Sequence, residues 1–205
     1  PAASGRRARH STKGPPLAMR HTADGATAPR IRPLRWPGLA APAAAAGLLA
    51  LGGAPWRLAL RFERAPALEF HEPWRLLTAH LVHLNPSHLL LDGLGLALVW
   101  LLFAGTLPAL VWWLALIFGA VAIDAGLLLL HPEIAWYVGL SGVLHGQFAA
   151  GALWSLVLGR REAIVMLALL CLKLAFETVA GPVPLTAAAS RGPVVEEAHR
   201  YGALG

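Results

Sequence analysis

The 205-residue chain is 57% hydrophobic and 14% charged, against about 25% charged residues in ordinary soluble domains. That balance excludes an ordinary soluble domain and points to an integral membrane protein. The formal net charge of +6 does not argue for nucleic acid. Eight of the 17 basic residues, from Arg6 to Arg35, precede the first long apolar run, where they read as a cytoplasmic anchor under the positive-inside rule.

Residues 1–35 are rich in Ala, Gly, Pro, Ser, Thr and Arg without apolar periodicity, which predicts a disordered basic segment ahead of a membrane domain over 36–205. The uncharged run from Pro37 to Pro55, bracketed by Trp36 and Trp56, predicts a first transmembrane helix. Residues 57–75 mix Arg57, Glu63, Arg64, Glu72 and Arg75 on a half-apolar segment, as an amphipathic loop at the outer interface does. Asn85 as N-cap and Pro86 at the first helical position open a second span, to about Gly105. A third covers about 108–130 and is broken by His131-Pro132-Glu133. A fourth covers about 136–158 and ends at Arg160-Arg161, a basic pair that marks a cytoplasmic end. A fifth runs from about Ala163 to Ala180, a Pro/Gly loop follows over 181–193, and a sixth begins near Pro193 and is cut off at Gly205. The expected fold is an all-α polytopic bundle of six helices, the sixth of them incomplete. Only six residues follow His199, so if the chain ended there in the protein a full sixth span could not form and His199 would be weakly held; a fragment is the expected explanation. The single Cys171 can form no internal disulfide.

The stretch Gly139-Leu140-Ser141-Gly142-Val143-Leu144-His145-Gly146 concentrates chemistry. A serine among glycines at a helix start suits nucleophilic acyl chemistry, because glycine lets a substrate carbonyl approach backbone N–H donors. The same small residues equally serve close helix packing. With a cytoplasmic amino end, spans two, four and six enter from the outer face. His88, Ser141 and His199 then lie within about 3–9 Å of the outer helix ends and can converge on one shallow site. Ser141 with His199 forms a nucleophile–base pair, and no carboxylate stands out at the same depth, so a dyad is expected. His88 and Asp92 share a helix face and either donate to an oxyanion or tie helices together. His145, four residues after Ser141, packs on His199 or acts as a base itself. His80 and His83, with His88, Asp92 and His145, form an alternative zinc or iron ligand set. The HExxH pattern of a zinc protease is missing, and no metal or cofactor is expected. Asp124 is read as a hydrogen-bonding partner for a neighbouring helix, and Lys173 with Glu177 as a mutually neutralising i, i+4 pair.

Trp74-Arg75, the histidines leading to Asp92, GLSGVLHG around Ser141 and Ala198-His199-Arg200-Tyr201-Gly202-Ala203 together resemble the rhomboid family of intramembrane serine proteases, in its bacterial rhombosortase branch, over about residues 37–205. The resemblance implies Ser141 as nucleophile, His199 as general base, and oxyanion donors that include the Ser141 backbone N–H and His88. Asp92 stands where the family usually has Asn. An ionised carboxylate there repels an oxyanion, so Asp92 helps only in its protonated form. His at position 145 looks like the rhombosortase pattern. The implied substrates are exported proteins with a carboxy-terminal Gly-Gly-type membrane anchor, cut in the lipid bilayer of the bacterial inner membrane at a site open to the periplasm. The alternative is a non-catalytic relative that binds or routes membrane substrates.

Overall fold

A computed structural model of the protein describes residues 37–69 and 71–205; the basic segment 1–35 and Trp36 lie outside the described residues. Helix α1 (Pro37–Leu51) is followed by α2 (Gly53–Leu60), the two-residue strand β1 (Phe62–Glu63), short helices α3 (Arg64–Leu68) and α4 (Trp74–Thr78), and a 3-10 turn over Ala79–Leu81. Helices α5 (Pro86–Phe103) and α6 (Ala109–Leu130) come next. Strand β2 (Trp136–Tyr137), α7 (Ser141–Val157), α8 (Glu162–Ala180), α9 (Pro184–Ser190) and α10 (Glu196–Leu204) complete the order.

Polarity is sorted inside out relative to a soluble protein. Leu98, Ile117, Leu172 and Val179 are more than half exposed on the outer faces of α5, α6 and α8, while His88, Asp92, Glu177 and His199 are buried. Helices α5, α6 and α8 are long and apolar enough to cross a membrane, and α1 with α2 adds a fourth if the bent pair is one span. Such a distribution suits lipid outside and a polar site within.

Three expected boundaries move. The first span does not reach Pro55: α1 ends at Leu51, and the chain turns by 118° into α2 at Gly52-Gly53, a pair that interrupts a helix readily. The fourth helix does not start at Trp136. Trp136 and Tyr137 pair antiparallel with Glu63 and Phe62, a use of aromatic residues that suits a strand, so α7 begins only at Ser141 and is 17 residues long. The last helix, α10, has nine residues. The loop expected over 181–193 contains α9, started by Pro184 in its first turn, where proline's missing N–H costs nothing. The start of α5 follows the sequence reading, with the Asn85 side chain accepting the His88 N–H at 3.0 Å.

Charged residues of the 57–75 segment staple it rather than lying loose at an interface. Arg64 donates to the carbonyls of Leu128 (3.0 Å) and His131 (2.7 Å), and also to Leu127. The carbonyls of Leu127 and Leu128 are among those that the end of α6 leaves unpaired. Arg75 is buried, donates to the carbonyls of Leu58 (2.8 Å) and Arg61 (3.1 Å), and pairs with Glu72.

Short as it is, α10 packs extensively on α7 and α6. Ala198, His199 and Gly202 are buried, and the Tyr201 hydroxyl meets His131 Nε2 at 2.9 Å. His199 is firmly held in the nine-residue α10: it is 1% exposed. Close approach explains it. A Cβ at Gly142 would lie 2.8 Å from the Ala198 carbonyl oxygen, and one at Gly202 would overlap the Gly142 carbonyl, so small residues let the two backbones touch.

Gly202→Ala is expected to lower stability by about 1–3 kcal/mol through overpacking, read as a drop in thermal midpoint in detergent. Gly47→Ala, where an added Cβ meets nothing within 4 Å, is expected to leave the midpoint in place.

Candidate active site

Ser141 owes its position to the turn before it. Gly139 has φ +120°, a region other residues rarely adopt, and a Cβ there would press on the His88 ring at 3.0 Å. The Gly139 N–H donates to the Ala79 carbonyl at 3.0 Å, and the Tyr137 hydroxyl donates to the Gly139 carbonyl at 2.7 Å. The Leu140 N–H donates to Asp92 Oδ2 at 2.8 Å. Three separate elements thus pin the turn that delivers Ser141 as the first residue of α7. At that position its N–H has no carbonyl four residues back within the helix, and the helix dipole favours negative charge nearby.

Ser141 Oγ lies 2.9 Å from His199 Nε2, and His199 Nδ1 lies 2.9 Å from Glu177 Oε2. Lys173 Nζ reaches the same carboxylate oxygen at 2.7 Å. An ionised carboxylate only accepts hydrogen bonds, so Nδ1 carries the imidazole proton and Nε2 presents its lone pair to the serine hydroxyl. His145 donates from Nδ1 to the Ser141 carbonyl at 2.6 Å. Its ring stacks on His199, with centroids 4.3 Å apart and planes 17° apart, which holds the His199 ring flat against α7.

The structure brings Ser141, His145 and His199 into one cluster. The expected Lys173–Glu177 pair is present as well, but Glu177 has a second partner in His199, and the expected absence of a carboxylate at this depth is corrected. A signal was available. Glu177 lies three residues before the end of α8, about 5 Å from that helix end, a depth comparable with that of His199.

Asp92 does not stand as an oxyanion donor. Its Oδ2 already accepts from Leu140 N–H and, at 3.0 Å, from His83 Nε2, with His88 Nε2 at 3.6 Å. It is an acceptor that latches the Ser141 turn. His88 Nδ1 accepts the Leu84 N–H at 3.4 Å, so in the neutral ring Nε2 carries the proton. His80 stands apart, with Nε2 3.4 Å from Asp124 Oδ1 and its ring edge-on to Tyr137.

Two cavities meet at Ser141. One of about 470 Å³ has apolar walls from α5 (Leu94, Leu98) and α8 (Leu169, Leu170), with Ser141, Lys173 and His199 also lining it. The other, about 20 Å³, is lined by His88, Ser141, Thr186 and Ser190 among others, room for about one water-sized group.

Of the metal set weighed from the sequence, His83, His88 and Asp92 lie together, whereas His80 faces Asp124 and His145 stays with Ser141. Among the described residues, donor atoms of His145, Glu177 and His199 do come within 4.8 Å of one another. Near-parallel stacked rings, however, aim their in-plane lone pairs along separate planes, so both can meet one ion only after a ring rotates. The donors as arranged fit a hydrogen-bond relay and not a coordination sphere.

Compared with family models, curated proteins and solved structures, the chain finds no match.

Asp92→Ala is expected to cost about 1–3 kcal/mol for each buried donor it leaves unpaired, and to speed hydrogen exchange at the Leu140 amide. Asp92→Asn, which keeps an acceptor oxygen, is expected to retain most of the thermal midpoint and the Leu140 protection.

Proposed function

We propose that the protein is an intramembrane serine endopeptidase, with Ser141 as nucleophile, His199 as general base and Glu177 orienting the base. The observation that carries this reading is the chain of two 2.9 Å contacts from Ser141 Oγ through the His199 ring to Glu177 Oε2. Serine is inert until a base takes its proton, and this arrangement supplies a base in the required tautomer.

In the proposed reaction Ser141 Oγ attacks the scissile carbonyl while its proton passes to His199 Nε2. Negative charge develops on the carbonyl oxygen, which the roughly 20 Å³ chamber accommodates, with the Ser141 N–H and His88 Nε2–H as donors. The amide C–N bond then breaks, the leaving amine takes the proton from His199, and the acyl group stays on Ser141. Water, deprotonated by His199, releases it and restores the serine. The 470 Å³ apolar cavity suits an apolar segment lying beside the scissile bond.

The substrate class comes from the resemblance to rhombosortases: exported proteins with a carboxy-terminal Gly-Gly-type anchor, cut at the periplasmic side of the bacterial inner membrane. Glycine-rich helix ends unfold cheaply and expose the amide. In this reading α1, α5, α6, α7 and α8 are spans one to five and α10 is part of the sixth, entered from a cytoplasmic amino end.

Co-expression with a secreted reporter bearing such an anchor tests the reading. Ser141→Ala and His199→Ala are each expected to cut reporter release by at least about 10³-fold, and Glu177→Gln, which disturbs the tautomer, by about 10²–10⁴-fold. Release unchanged in all three overturns the peptidase reading in favour of a non-catalytic protein that binds or routes membrane substrates.

A further inference from the structure

We infer that Lys173 is a positioning residue of the acyl-transfer site, acting on His199 through Glu177; this rests on the reading just given. Lys173 stands one helical turn before Glu177 on α8, and its Nζ lies 2.7 Å from the oxygen that also accepts from His199. The Glu177 side chain is 1% exposed, and its other oxygen has no hydrogen-bond partner. Its position is therefore set by the His199 ring and the Lys173 ammonium alone among the hydrogen bonds and ion pairs of the described residues. Arg200, on α10, is engaged elsewhere, with Thr178 and Glu197.

Charge balance gives the arrangement its purpose. Before reaction the cluster holds one negative charge on Glu177, one positive on Lys173, and a neutral His199 and Ser141. After attack it gains an imidazolium and an oxyanion, so the sum remains zero. Taking Lys173 away leaves a net negative charge among apolar helices, where the attraction that offsets its desolvation is lost and where it opposes the growing oxyanion. It also leaves the carboxylate held by one contact, so His199 Nε2 loses its fixed aim at Ser141 Oγ. Lys173 lines the 470 Å³ cavity too; direct contact with substrate is the role the test below separates from this one.

The test uses the full chain in detergent and a small fluorophosphonate, which phosphonylates an activated serine without filling the apolar cavity. Rates are measured by intact mass for wild type, Lys173→Met, Lys173→Arg, Glu177→Gln and the Lys173→Met/Glu177→Gln double variant, each checked by thermal unfolding. Lys173→Met is expected to slow labelling of Ser141 by about 10–100-fold, the range of coupling between residues in direct contact, and Lys173→Arg to stay within about threefold of wild type. In the Glu177→Gln background, Lys173→Met is expected to change nothing further. Multiplying losses in the double variant, or a Lys173→Met enzyme that labels at the wild-type rate, overturns the inference while leaving the Ser141–His199 reading intact. A wild type that shows no labelling lost in Ser141→Ala overturns both. Should Lys173→Met fail to fold, Lys173→Gln in the same cycle carries the comparison.

Discussion

The close approach of α7 and α10 is the constraint on which the site depends. Side chains at Gly142 or Gly202 would push the helices apart, because each Cβ would run into a backbone carbonyl of the opposite helix. With those side chains missing, a nine-residue helix held by Tyr201 and by its packing on α6 and α7 carries His199 to within 2.9 Å of Ser141. The glycines around Ser141 thus have two physical roles that the sequence presents as rivals. Gly139 shapes the turn that exposes the serine, while Gly142 packs α10.

Two buried carboxylates divide the electrostatic work. Asp92 faces the turn, where it accepts the Leu140 N–H and the His83 imidazole and so fixes where α7 begins. Glu177 faces His199 and determines which imidazole nitrogen carries the proton. Each would be costly alone in an apolar bundle, and each has two donors converging on one of its oxygens. His145 adds a flat stacking surface against His199, so the ring is constrained in its plane by Glu177 and Ser141 and across its plane by His145.

Much of this is written in the residues. The apolar runs, the Asn85-Pro86 start of α5, the approach of His199 to Ser141 and the shared helix face of Ser141 and His145 follow from helix periodicity, capping and depth. What the sequence conceals is geometry between segments. Trp136-Tyr137 sits at the head of an apolar run and looks helical until its strand partner Phe62-Glu63 is known. Glu177 looks neutralised by Lys173 one turn away, and only its depth near the end of α8 points to a second partner 22 residues downstream. Asp92 looks like an oxyanion group by its place in the second span, yet a backbone N–H 48 residues away claims it.

The most direct test of the account is the protonation of the His199 ring, read by ¹⁵N–¹H NMR on protein labelled at histidine. The account requires a proton on Nδ1, strongly deshielded by its hydrogen bond to Glu177, and a bare Nε2 facing Ser141. That resonance should vanish in His199→Ala and shift markedly in Glu177→Gln. A His199 ring protonated on Nε2, or an Nδ1 proton indifferent to Glu177→Gln, would contradict the relay and with it the proposed base.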